Sequence, residues 1–156
     1  MHSRIFQVSE NPVTNDNFID EERYDENFIN SIADYVDLIE YKSDGYYNDL
    51  KYLLNSTEGI SVDIKQGVIK VTSKEQYFLR KYERFKELAL KLSEITLEEF
   101  ASHKQWFNMF ELSEAYNNAH SFYMDDGNEA MTIDDWVRYA ELNKAYYVGN
   151  IFDYHF

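Results

Sequence analysis

The stretch from Gly59 to Leu92 constrains the fold most. Ile60-Ser61-Val62-Asp63-Ile64 alternates apolar and polar, Lys65-Gln66-Gly67 supplies turn residues, and Val68-Ile69-Lys70-Val71-Thr72 returns as a second β-branched segment, the pattern of a hairpin. Ser73 then stands three residues before Gln76, the spacing of a capping box that opens a helix. Phe78, Tyr82, Phe85, Ala89 and Leu92 follow at steps of four and three, which predicts that they share the buried face of that helix.

Around this unit the chain reads as further strands and helices. Arg4-Ile5-Phe6-Gln7-Val8 predicts a strand that ends by Asn11-Pro12, since proline removes an amide donor. Thr14 to Asn27 is acidic with scattered Phe18, Ile19 and Tyr24, and predicts a surface loop or a short helical turn. Phe28, Ile29, Ile32, Tyr35 and Val36 fall at helical spacing and predict a helix ending before Ser43-Asp44-Gly45. A second helix is expected to carry Tyr46, Tyr47, Leu50, Leu53 and Leu54. Thr96 and Glu99 form another capping box, with Leu97, Phe100 and Ala101 expected inward. A break at Ser102-His103-Lys104 should precede Trp106, Met109, Phe110, Leu112, Ala115, Tyr116 and Ala119, again at helical spacing but with the apolar stripe rotated. Asp125-Asp126-Gly127-Asn128 reads as a loop and Thr132 as a helix start that buries Ile133, Trp136, Val137 and Ala140. Lys144 to Phe156 is aromatic and β-branched, a strand bulged at Gly149-Asn150. The expected class is α+β: one domain over residues 1–156, with a small, mostly antiparallel sheet packed by four to five helices. Its strands would be the N-terminal strand, the central hairpin and the C-terminal strand.

Charge and composition bound the partners. The chain of 156 residues has a net charge of −14, and the acid lies at its two ends: residues 1–50 carry −9, residues 51–100 carry +1 and residues 101–156 carry −6. Such a field repels nucleic acid, so no direct nucleic-acid binding is expected, and it attracts basic proteins. With no cysteine, disulfides, thiolate metal sites and cysteine nucleophiles are excluded. The first residues are too short in apolar run for a signal peptide, and no window approaches the roughly 18 apolar residues of a membrane span, so a cytoplasmic protein without membrane contact is expected. Fourteen Tyr, eleven Phe and two Trp exceed what a small core readily satisfies, which predicts an aromatic surface patch.

Motifs that carry chemistry are few. If Gly127 is placed at the sixth position of an EF-hand loop, Phe122 and Ile133 fall at the first and twelfth, where the strongest calcium ligands belong, so a turn is the better reading. His2, His103, His120 and His155 show no ligand spacing, and phosphate-binding glycine loops and nucleophile elbows are absent. Neither a metal nor an organic cofactor is expected. Ser3-Arg4-Ile5-Phe6-Gln7-Val8, Ser31-Ile32-Ala33-Asp34-Tyr35-Val36 and Tyr146-Tyr147-Val148-Gly149 together resemble a group of small uncharacterised proteins from Firmicutes. That resemblance spans most of the chain and implies neither an activity nor residue roles.

The function expected from these residues is a non-catalytic, acidic, Tyr-rich module that binds a protein partner. In its sharper form it covers a basic nucleic-acid-binding surface as a DNA mimic would. The candidate interface joins Tyr24, Tyr41, Tyr46 and Tyr47, as exposed anchors, to Asp20, Glu21, Glu22, Asp37 and Glu40. The alternatives are a small carboxylate-dependent hydrolase, with or without help from His103 or His120, and a soluble domain to which these residues assign no function.

Overall fold

The structure, a computed structural model, describes residues 1–25, 28–102 and 106–156. It is α+β, with a mixed seven-stranded sheet and five α-helices among the described residues. In chain order these are β1 (His2–Ser9), β2 (Tyr35–Ile39), α1 (Asp44–Asp49), β3 (Ile60–Asp63), β4 (Val68–Val71), α2 (Lys74–Ser93), α3 (Leu97–Ala101), α4 (Trp106–Tyr116), β5 (Tyr123–Asp125), β6 (Ala130–Thr132), α5 (Ile133–Tyr139) and β7 (Tyr146–His155). A 3₁₀ turn, Glu21–Tyr24, precedes β2, and a π-helical turn, Leu50–Leu54, continues α1.

The last strand organises the sheet. One edge of β7 pairs antiparallel with β1 along its length; its other edge takes β4 at Tyr146 and Tyr147 and β2 from Ile151 to His155. β3 extends the sheet beyond β4, while β5 runs parallel to β1 and carries β6 outermost. Between the pairs Phe6–Ile151 and Val8–Val148 the register shifts, so Gly149 and Asn150 face Gln7 alone. The bulge therefore falls where the glycine predicted it. Gln7 is buried there, its carbonyl oxygen accepting from the amides of Ile19 and Asn150 at 3.2 and 3.1 Å, and a Cβ on Gly149 would run into that oxygen.

Strand alternation divides the core between the two faces of the sheet. Phe6, Met124 and Ile151 point into a core shared with α1, the π turn and α5, where Tyr46, Leu50, Leu54, Trp136 and Val137 pack. Ile5, Tyr123, Phe152 and Tyr154 point the other way, onto Ile19, Tyr24, Phe28, Ala33 and Val36. The Tyr46 hydroxyl donates to the Val148 carbonyl at 3.0 Å. Gly67 passes beside it with φ of +62°, and a Cβ there would sit 2.5 Å from the Tyr46 oxygen. A side chain at that position is excluded by backbone conformation and by space together.

The predicted hairpin, the caps at Ser73, Thr96 and Thr132 and the buried side of α5 are present; the Ser73 hydroxyl accepts from the Gln76 amide, and the reciprocal capping box is formed at Thr96 and Glu99. The sheet is larger than expected and includes one parallel pairing, because β2, β5 and β6 are strands that no alternating run announces. The helix expected from Phe28 to Lys42 is instead a tight turn followed by β2: the Phe28 carbonyl accepts from Ile32 at 2.9 Å and Ala33 at 3.2 Å, and Asn30 at φ +68° stops helical propagation. The acidic stretch before it is not merely surface loop, since Ile19 and Tyr24 close the second core. On α2 the buried residues are Tyr77 and Leu88; Phe78, Phe85, Ala89 and Leu92 are half-buried and Tyr82 is exposed. α2 joins the sheet core through Tyr77 and Phe78 and otherwise lies along α4, which rotates its covered side away from the predicted stripe. Leu97, Phe100 and Ala101, expected inward, are exposed. Of the predicted break, Ser102 caps α3, and positions 103–105 lie outside the described residues. Among the described residues no helix is long and apolar enough to cross a membrane.

Candidate interaction surface

The nine residues expected to form an interface divide by type in their exposure. Asp20, Glu21, Glu22, Asp37 and Glu40 are all exposed, on the 3₁₀ turn and along and just after β2. Glu21 accepts from the Leu38 amide at 3.2 Å, which holds the turn against the open edge of β2. Among the described residues none of the five is in an ion pair, whereas Asp49, Asp125, Asp134, Asp135 and Asp153 each are. The ridge thus holds five exposed carboxylates outside any ion pair among the described residues, with Arg23 and Lys42 as its nearest cations in sequence.

Tyr24 and Tyr46 are not the exposed anchors expected from the sequence. Tyr24, 2% exposed, and Tyr46, 1% exposed, belong to the two cores, and Tyr41 and Tyr47 are half-buried against the first of them. Each buried hydroxyl has an acceptor inside the fold: Val148 for Tyr46, and for Tyr24 the carboxylate of Asp125 at 3.1 Å. A ring with a polar edge satisfied internally packs as core, and these four were read as exposed only because their neighbours in sequence are acidic.

The exposed apolar surface lies instead on the helical layer. Ten of the sixteen large apolar side chains exposed among the described residues fall between Leu79 and Tyr116, on α2, α3 and α4. α4 buries none of its residues. Its inner side, half-buried against α2, carries Leu112 and Ala115, and its outer side carries Trp106, Met109, Phe110, Ser113 and Tyr116 at i, i+3, i+4, i+7 and i+10, flanked by Phe107. That outer face is uncharged, and its five large side chains are 53–66% exposed. An amphipathic surface helix has the opposite arrangement, with polar residues outward. The signal was present in the sequence: Trp106 to Tyr116 has two charged residues and apolar residues on both sides of the wheel, which a helix packed on one side alone does not require.

Beside this face, a groove of about 460 Å³ opens between α2, α4 and α5, floored by Phe78, Phe85 and Ala115 with Tyr82 and Tyr116 at its lips. Its cations have partners already. The Arg138 guanidinium lies 4.8 Å from the Phe78 ring and 4.5 Å from the Tyr116 ring and donates to Asp135 at 2.9 Å; Lys74 donates to the Arg138 carbonyl at 2.6 Å; Lys81 pairs with Asp134. The groove is suited to a ring or an aliphatic side chain rather than to an anion.

Neither a family model, nor a curated protein, nor a solved structure matches the chain. What the surface can do rests on its own chemistry.

The two fully buried carboxylates have separate partners: Asp125 accepts from Arg23 at 2.9 Å, Tyr24 and the Gly127 amide, while one oxygen of Asp134 accepts from Tyr77 at 2.7 Å and from Lys81. Burial, then the neighbouring carboxylate, pushes the Tyr24 and Tyr77 hydroxyls well above the ordinary tyrosine range, so both remain protonated donors. The second oxygen of Asp134 has no hydrogen-bond partner. His120 is exposed and stacks on Phe156 at 4.2 Å, and His103 lies outside the described residues. In the Asp125–Glu129 loop the side chains of Asp125 and Asp126 accept from the loop's own amides, at Gly127, Asn128 and Glu129. Among the described residues no three His, Asp or Glu side chains converge where a metal could sit.

Proposed function

We propose that the protein is a non-catalytic interaction module that works by covering the surface of another protein chain. The observation that carries this reading is the outer face of α4, a contiguous, uncharged aromatic strip that its own fold leaves in water. Contiguous exposed apolar surface of that kind marks association sites, and aromatic residues with methionine are the types enriched at interface centres.

A second surface favours a basic partner. The five exposed and unpaired acids along the 3₁₀ turn and β2 give the field that a basic, nucleic-acid-binding protein would meet, the arrangement of a DNA mimic. The test is a pull-down from cell lysate over a salt series with the native chain and with a variant neutralised at Asp20, Glu21, Glu22, Asp37 and Glu40. The mimic reading expects a basic DNA- or RNA-binding protein that is recovered at low salt, lost as salt rises and lost on neutralisation. Recovery of acidic or neutral partners alone, or binding indifferent to salt, contradicts it.

A further inference from the structure

We infer that the outer face of α4 is covered by the same face of a second copy of this chain, in an antiparallel α4–α4 pair about a two-fold axis. The inference rests on the reading of the chain as an interaction module and names the occupant of its apolar surface.

Three observations favour a second copy over a different partner. The first is electrostatic. In a chain of net charge −14, the strip Trp106, Met109, Phe110, Ser113 and Tyr116 carries no charge, with Glu114 at its margin between Phe110 and Phe107, and an antiparallel pairing sets that glutamate level with Asn108 rather than opposite its own copy, so two copies can meet there without placing like charges opposite each other. The second is area. Five large side chains at 53–66% exposure offer roughly 400–700 Å² per copy, given about 150–250 Å² for a whole aromatic side chain, somewhat less than the roughly 800 Å² that a stable interface takes from each partner, which is the size of a weak pairing. The third is shape. An antiparallel pair centred near Glu111 sets position 106 of one copy opposite position 116 of the other, so Trp106 arrives at the Tyr116 lip of the groove floored by Phe78 and Phe85. Ring and groove are then exchanged twice, as an isologous interface requires. Ser113, small and exposed near the crossing, allows the helices to approach closely.

The acidic ridge belongs to other elements, the 3₁₀ turn and β2, so pairing through α4 does not use its residues. The paired copies also repel each other through their net charge, which fixes the sign of the salt effect: screening strengthens an apolar pairing between two acidic chains and weakens binding to a basic protein.

The experiment is sedimentation of the full chain from about 1 to 100 μM, a range that spans typical weak-dimer affinities, at low and high salt. The expected result is a species of twice 18.7 kDa whose population grows with concentration and with salt. Phe110→Asp should weaken association by at least about 100-fold, since it buries like charges near the axis, with the circular dichroism spectrum unchanged because the site is exposed. Trp106→Ala should weaken it without introducing charge. Phe110→Asp and Phe110→Lys, each monomeric alone, should associate when mixed. A monomer at every concentration and salt overturns the inference, as does a dimer indifferent to Phe110→Asp or one that dissolves as salt rises. If the native chain is monomeric and these variants instead abolish capture of a different protein, the pairing fails while the interaction module stands; if the face binds nothing, both fail.

Discussion

At the scale of single residues, tyrosine is the type whose environment decides most. Five tyrosines, at positions 24, 46, 77, 123 and 154, have hydroxyl pKa values raised by burial, that of Tyr154 to about 12. Their unfolded values lie near 10. Between those limits the unfolded chain releases protons that the folded chain keeps, so the unfolded state binds fewer and stability falls as pH rises. The contribution is fully present below about pH 10 and is lost above it, at about 1.4 kcal/mol per pH unit for each tyrosine held protonated. Urea unfolding midpoints measured from pH 8 to 11 should be level up to about pH 10, so far as the tyrosines set them, and then drop steeply. Tyrosinate absorbance should rise in two steps, exposed rings first and buried rings on unfolding. A single smooth titration of all fourteen tyrosines would mean that the buried hydroxyls are solvated. Residue chemistry also explains the misplaced anchors. Tyr24 and Tyr46 have the same side chain as the exposed Tyr82 and Tyr116, and what separates them is an internal acceptor supplied from about a hundred positions away, by Asp125 and Val148. Local sequence carries no trace of such an acceptor.

At the scale of elements, what could be read was what is locally encoded. The hairpin, the three caps and the Gly149–Asn150 bulge each depend on residues a few positions apart, and all three kinds of feature are present. β2 and β5 depend on β7 and β1 for their pairing and β6 on β5; the three-residue β5 and β6 are too short to show a period, and Tyr35-Val36-Asp37-Leu38-Ile39 of β2 does not alternate. Which side of a helix is buried is likewise set by what it meets. α2 meets the sheet at Tyr77 and Phe78 and α4 thereafter, so its most buried residues are Tyr77 and Leu88, while of the stripe that periodicity selects Phe78 and Phe85 are half-buried and Tyr82 is exposed. The consequence is measurable. Leu88→Ala, at a fully buried site, should cost about 2–5 kcal/mol, the range for deleting a buried leucine. Phe85→Ala, half-buried on the groove floor, should cost about 1–2 kcal/mol, less than a core phenylalanine because part of the ring is already in water. Equal costs in denaturant unfolding would mean that the Phe85 face is core after all.

At the scale of the whole molecule, the sheet closes a core on each face, and the described residues between Thr96 and Tyr116 add no buried side chain to either. Among the described residues nothing covers the outer side of α4, and on the pairing inferred above its own image is that cover. Folding and association are then linked: a chain whose folded form binds its copy becomes more stable as its concentration rises. The thermal midpoint of the native chain, followed across about a hundredfold range of concentration at high salt, tests this most directly. The account predicts a midpoint that climbs with concentration for the native chain and stays level for Phe110→Asp. A native midpoint that is independent of concentration would contradict it.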